Sequence, residues 1–238
     1  MNSNYWPIVD GYFVLPDALS VIRSAAGTEI KEAIGRSVQH TQLFLRGSLL
    51  EQHAPFIRAD ADLFVIYTDR SELDVLRTVL PKYYVYDIKF IQRDRMDLDY
   101  VYAALLHCRS VQLAGERLVR KPIRADKDFA WEHWKKYCVS LIPDHLDTSN
   151  PGALMHFKAL SRCFGVLSYL NKKLFTRDIS ECLLIAESED DMSSGILNQL
   201  RAHLENQNIR LIDVTPVKKY LTRAFDLYFT DWADDRDF

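Results

Sequence analysis

The chain has 238 residues, enough for one large domain or two small ones with a substantial buried core. Its 48% hydrophobic and 26% charged residues are those of an ordinary soluble globular protein, and a net charge of −3 excludes a basic nucleic-acid footprint over the whole surface, though not a local basic patch. Cys108, Cys138, Cys163 and Cys182 are far apart with no C-x-x-C, so disulfides and a zinc site are not expected and a reducing compartment fits.

The opening Met-Asn-Ser-Asn-Tyr-Trp-Pro lacks the basic-then-apolar layout of a signal peptide. No apolar run nears the roughly 18 residues that suggest a membrane span, so a soluble, cytoplasmic protein with no membrane partner is the expectation. Residues 1–16 read as an extended, aromatic lead-in. Residues 17–39 have helical periodicity, with Gly27-Thr28 predicted to divide them into two helices and Thr28 to cap the second. An apolar run at 43–45 then reads as a short buried strand and ends in Arg46-Gly47-Ser48. The Gly47-Ser48 turn offers backbone N–H groups and a hydroxyl, a suitable cradle for phosphate. Residues 49–59 are expected to form a half-turn of helix and a loop, with His53 and Arg58 read as solvated. Asp60 and Asp62 follow, leading into Leu63-Phe64-Val65-Ile66-Tyr67. Side chains alternate along a strand, so both carboxylates emerge on one face, and two hard oxygen ligands side by side suit Mg²⁺ with phosphate oxygens.

A hydrophobic strand, Gly-Ser, a short spacer and Asp-x-Asp in a second strand together resemble the polymerase-beta-like nucleotidyltransferase superfamily. The resemblance implies transfer of a nucleoside monophosphate from an NTP to an acceptor hydroxyl. By position it implies that Gly47 and Ser48 contact the triphosphate and that Asp60 and Asp62 hold the metals, two Mg²⁺ ions being expected. Ala59 and Ala61 stand where the commonest family spelling has Ser and Ile. Both replacements are small and leave the metal-binding atoms in place. Elsewhere the glycines form no G-x-G-x-x-G or Walker loop, and H-E-x-x-H and G-x-S-x-G do not occur, which removes the best sequence support for dinucleotide enzymes, P-loop ATPases, zinc proteases and α/β-hydrolases.

Asp69-Arg70-Ser71-Glu72 resembles a capping box, opening a helix to about Leu80 with Leu73, Leu76 and Val79 buried. Residues 83–91 are the clearest β-rich run of the chain, with Asp87 in its middle. A carboxylate there calls for a partner or a metal. Superfamily members carry a third acidic residue on this strand, so the resemblance implies Asp87 as a metal ligand or as the base for the acceptor hydroxyl. The alternative is an edge strand with Asp87 facing solvent and Lys89 as its partner. Residues 92–99 form a charged loop whose Asp94, Asp97 and Asp99 are further base candidates, and residues 98–113 read as one helix with Val101, Leu105 and Leu106 inward.

Arg117, Arg120, Lys121 and Arg124 cluster around Pro122, where the domain boundary is expected. The expected fold class is α+β, and the resemblance implies a small mixed β-sheet nucleotidyltransferase domain flanked by helices over 1–125, followed by an all-helical C-terminal bundle over 126–238. Trp131 and Trp134 lie in its first amphipathic stretch. Asn150-Pro151 starts a helix with a core stripe of Leu154, Phe157, Leu160, Phe164 and Leu167. Lys158 and Arg162 share a face of it, and Thr176 is expected to cap the next helix. The run FKALSRCFGVLSYLNKKLFTRDISECLLIAE resembles the second domain of aminoglycoside adenylyltransferases, with Arg177 where Lys is usual. That resemblance implies a bundle closing over the nucleotide, with Lys158, Arg162, Lys172, Lys173 and Arg177 as phosphate contacts. A solvated cationic face is the competing reading. Helices over 198–206 and 216–232 complete the bundle.

The reaction implied is Mg²⁺-dependent transfer of an NMP, with ATP the expected donor, AMP the group moved and pyrophosphate released. A small molecule such as an aminoglycoside is the first acceptor class. A protein or tRNA acceptor, as in toxin-like nucleotidyltransferases, is the second. A non-catalytic nucleotide-binding protein that retains the fold is the third, and a partner protein stays open.

Overall fold

The strand Gln42–Arg46 (β1) is buried along its whole length because strands pair with it on both edges. In the computed structural model, which describes residues 5–14, 25–34, 41–47, 61–82, 85–93, 98–137 and 139–233, β1 runs antiparallel to Ala61–Tyr67 (β2) and to Ser110–Ala114. Tyr86–Gln92 (β3) adds to β2 in parallel as an edge strand. Calling Ser110–Ala114 β4, the sheet order is β3-β2-β1-β4, a mixed sheet with antiparallel and parallel pairs.

Alternation divides the sheet's faces. Leu43, Leu45, Ala61, Leu63 and Val65 pack with Ile30 and Ile34 of Ala25–Ile34 (α1) and Leu76 of Ser71–Val79 (α2). The opposite face carries Phe44, Arg46, Asp62 and Phe64, and the Phe64 ring meets Tyr102 of Tyr100–Cys108 (α3) edge-on. Burial of both faces explains why β1 and β2 read as apolar runs rather than as clean alternation.

Three local expectations are corrected. Helix α1 runs through Gly27 and Thr28 without a break. An internal glycine costs about 1 kcal/mol relative to alanine, less than the burial of Ile30 and Ile34 returns. The predicted helix over 98–113 ends at Cys108, and Ser110–Ala114 is a sheet strand. Asp99 caps α3, its carboxylate accepting from the Tyr102 N–H at 2.8 Å. The expected capping box is not what opens α2: its N-cap is Arg70, whose side chain makes no cap hydrogen bond, and Asp69 instead accepts from the Ser71 N–H at 2.9 Å in the turn just before the helix.

Residues 13–123 make one compact unit; residues 1–12 and 124–238 make another. The second contains the helices Lys127–Tyr137 (α4), Gly152–Lys172 (α5), Ile179–Glu189 (α6), Asp191–Glu205 (α7) and Thr215–Ala233 (α8). It is not all-helical. Tyr5–Trp6 pairs antiparallel with Phe175–Thr176, and His145–Asp147 with Leu211–Asp213. The N-terminal strand places Trp6 against Phe129 and Phe175, a burial that offsets the ordering of a two-residue strand. Of the predicted stripe on α5, Phe157, Leu160, Phe164 and Leu167 are buried and Leu154 is half-buried. Asp178, not Thr176, caps α6 by accepting from the Glu181 N–H. Among the described residues no helix is long and apolar enough to cross a membrane.

Candidate functional site

Cross-strand register builds the site. Arg46 on β1 faces Asp62 on β2, and Asp62 lies beside Asp87 on β3. Side chains in register on adjacent strands project from the same face, so the three form a row across the sheet. Asp60 and Ser48 lie outside the described residues. Gly47 directly follows β1 with φ of +78°, the left-handed region that suits glycine. A Cβ there would sit 2.2 Å from Asp62 Oδ2, so Gly47 also leaves the space that the carboxylate fills.

One nitrogen holds the row together. Arg46 Nη2 is 3.1 Å from Asp62 Oδ1 and 3.2 Å from Asp87 Oδ2. The side chains grade outward, 10% exposed for Arg46, 26% for Asp62 and 63% for Asp87. The Arg46 guanidinium lies over the Phe64 ring, 4.9 Å from its centroid, while its Nε is buried with no hydrogen-bond partner among the described residues. Asp87 is thus both on an edge strand and paired. Its partner is Arg46 rather than Lys89, whose ammonium lies 4.8 Å from the centre of the Tyr102 ring.

Two carboxylates that converge on a single nitrogen are close enough to converge on a single cation. The donor set, hard oxygens beside a glycine turn, fits Mg²⁺ shared with phosphate oxygens. Among the described residues no group of three or more His, Cys, Asp or Glu side chains converges on one point, so Asp62 and Asp87 form a pair and not a cage.

The cationic candidates lie in the helical unit. Arg162 and Arg177 both act on the fully buried His133 and the half-buried Tyr137. His133 Nε2 is 3.0 Å from the Tyr137 hydroxyl, and its Nδ1 has no hydrogen-bond partner among the described residues. Burial, then the charges of Arg177, Arg162 and Lys136, hold this imidazole well below its ordinary pKa. Lys158 is half-buried one turn before Arg162 on α5. Lys172 is 3.8 Å from Glu189, and Lys173 lies 5.0 Å from the centre of the Tyr169 ring, so both have partners inside their own unit. Arg120, counted in the basic cluster, is a strut of the sheet unit. Its guanidinium donates to the carbonyls of Leu106, His107 and Ser110.

The site residue that sequence reasoning missed is Arg46. A signal was present, because a charge directly ending the apolar run at 43–45 requires a partner as firmly as Asp87 does. No protein-family model matches the chain, and no curated protein matches its sequence.

Proposed function

We propose that the sheet unit is the catalytic part of a divalent-cation-dependent nucleotidyltransferase, moving an NMP from an NTP to an acceptor hydroxyl. The observation that carries this reading is the placement of Asp62 and Asp87 side by side on adjacent strands, directly beside the Gly47 turn. Asp62 and Asp87, with Asp60 two residues before Asp62, would hold Mg²⁺, which when bound supplies neutralisation of the phosphate charge and polarisation of the attacking and leaving oxygens.

The chain's own residues do the positioning. Gly47 keeps the turn open against the Asp62 carboxylate, and Gly47-Ser48 supply donors for the β- and γ-phosphates. Arg46 fixes the spacing of the two carboxylates. Asp87, the more exposed of the pair, is the carboxylate that an acceptor can approach from solvent. In the transfer, the acceptor oxygen bonds to the α-phosphorus and the bond to the bridging oxygen breaks. Pyrophosphate leaves with that electron pair, and the hydroxyl proton passes to Asp87 or to water. ATP is the proposed donor and a small polyhydroxylated or aminoglycoside-like molecule the first acceptor to test. A protein or tRNA acceptor follows.

A non-catalytic nucleotide-binding protein is the second reading, favoured by one feature: Arg46 already neutralises part of the charge that a metal would meet. Thermal stability measured with each NTP, with and without Mg²⁺, tests binding first. Ligand at a hundredfold excess over its Kd adds about 2.7 kcal/mol, roughly 5–11 °C for a chain of this size. The expected result is a Mg²⁺-dependent shift for one NTP that disappears in Asp62→Asn. Transfer of label from that NTP, labelled at the α-phosphorus, then separates catalysis from binding alone. If no NTP at millimolar concentration moves the folded protein with Mg²⁺ present, the nucleotidyltransferase reading falls.

A further inference from the structure

We propose that Arg46 is a resident counter-cation of the acidic pair, which keeps a divalent ion out until a triphosphate arrives. The inference rests on the nucleotidyltransferase reading and adds to it an order of binding that the Asp-x-Asp pattern does not contain.

Two carboxylates in register on neighbouring strands repel one another, and in this chain the repulsion is relieved by the guanidinium of Arg46. The pair and the arginine together carry about one net negative charge, which holds Mg²⁺ or Mn²⁺ far less well than two unshared carboxylates. A divalent ion at this pair would also sit within a few ångströms of a cation whose side chain is 10% exposed, where solvent screens little. Uptake of the ion without a compensating anion is therefore disfavoured twice.

The way Arg46 is held shows how that block is released. It bridges the two carboxylates through Nη2 alone, where a firmly held arginine would engage a carboxylate with two parallel hydrogen bonds. Its Nε is buried with no hydrogen-bond partner among the described residues, so the present pairing leaves a donor unused. The side chain follows directly before Gly47, where the chain turns with φ of +78° and the phosphate cradle begins. An incoming triphosphate supplies the acceptors that the guanidinium lacks. Once Arg46 pairs with phosphate, both aspartates lose its competing charge and can meet the metal that the same phosphate helps to ligate. Metal and nucleotide then bind with positive coupling, each strengthening the other by the same factor.

Mn²⁺ binding without nucleotide, followed by loss of the free-ion paramagnetic resonance signal, tests this in the full chain. Wild type should bind Mn²⁺ weakly. Arg46→Gln, checked for its fold by circular dichroism, should bind at least about tenfold more tightly, and adding Asp62→Asn should remove the gain. Arg46→Lys keeps a cation and should stay weak. Equal Mn²⁺ affinity in wild type and Arg46→Gln would overturn the proposal while leaving the metal site, and the transfer reading, intact. No Mn²⁺ binding in either protein at millimolar concentration would overturn both. Should Arg46→Gln fail to fold, wild type alone decides through its melting temperature. Mn²⁺ with ATP must raise it by more than the sum of the two separate effects, and an additive result refutes the coupling.

Discussion

Replacing Gly47 with alanine probes the link between the turn and the acidic pair. Two effects add. The first is backbone: at φ of +78° an alanine is disfavoured by about 1–2 kcal/mol. The second is local: the new Cβ would lie 2.2 Å from Asp62 Oδ2, so the carboxylate must rotate away and give up its contact with Arg46. A partly buried, charge-assisted contact of this kind is worth about 1–2 kcal/mol, for a total of about 2–4 kcal/mol. Only the second effect depends on Asp62. In an Asp62→Ala background, Gly47→Ala should therefore cost about 1–2 kcal/mol less than it does alone. Gly115 is the control. Its φ is +84° and its added Cβ would meet the Thr41 carbonyl oxygen at 2.4 Å, a backbone clash that Asp62 does not relieve. Gly115→Ala should thus be additive with Asp62→Ala to within about 0.5 kcal/mol. The assay must report on the sheet unit, and all four tryptophans belong to the other one. Native-state hydrogen exchange at the amides of β1 and β2 reads the right unit. If the Gly47 and Asp62 substitutions are additive, the close approach of carboxylate and turn does not contribute as argued.

Arg120→Ala should destabilise the sheet unit by about 3 kcal/mol or more, because the carbonyls of Leu106, His107 and Ser110 lose their common donor. Arg120→Lys should recover less than half of that, since one ammonium cannot span the three, and the same exchange measurement checks it. The buried histidines give a pH dependence. Burial, with Arg120 and Lys121 nearby, pushes His107 down to about 4, and His133 lies well below its ordinary value for the reasons given above. Unfolded histidine titrates near 6.5, so the unfolded chain binds more protons below that pH. The contribution of neutral, buried His107 and His133 is complete above about pH 6.5 and is lost as pH falls toward the folded values. For His133 the slope approaches about 1.4 kcal/mol per pH unit. Imidazole NMR titration of the folded protein should show neither ring charging above pH 5; an apparent pKa near 6.5 for either would contradict its burial.

Much of the sheet was legible because its strands combine a distinctive local composition with nearby punctuation. Residues 63–67 form an unbroken run of apolar and aromatic side chains, and Gly47 ends the strand before them. What failed was pairing across sequence distance. Residues 110–114 directly follow a helix with neither Gly nor Pro between, so periodicity extends the helix through them. Their strand identity comes from Leu43–Arg46, more than sixty residues earlier in the chain. The pairing of Tyr5–Trp6 with Phe175–Thr176 is more distant still and left no local mark. At Gly27 the miss ran the other way: a local breaker was overridden by the burial of Ile30 and Ile34.

The acidic pair was legible as chemistry, but its partner was not, and this bears on how the site is tested. Substituting both Asp62 and Asp87 is the obvious way to disable a metal site. In this chain it also strands the buried Arg46, deprived of the two carboxylates its guanidinium touches. Removing the partners of a buried charge costs about 3–5 kcal/mol, toward the lower end here because Asp87 is 63% exposed. Lost activity in Asp62→Ala with Asp87→Ala would then mix lost chemistry with a weakened sheet. Adding Arg46→Met removes the uncompensated charge and keeps an unbranched side chain against the Phe64 ring. The triple variant should recover at least half of the stability lost by the double, as read from exchange at β1 and β2, while remaining unable to bind Mn²⁺. Recovery with no return of metal binding would separate the two roles of the aspartates, as ligands and as counter-ions. A triple variant less stable than the double would show that Arg46 is held by its apolar stem rather than by its charge, and the account of Arg46 as a counter-cation would fail with it.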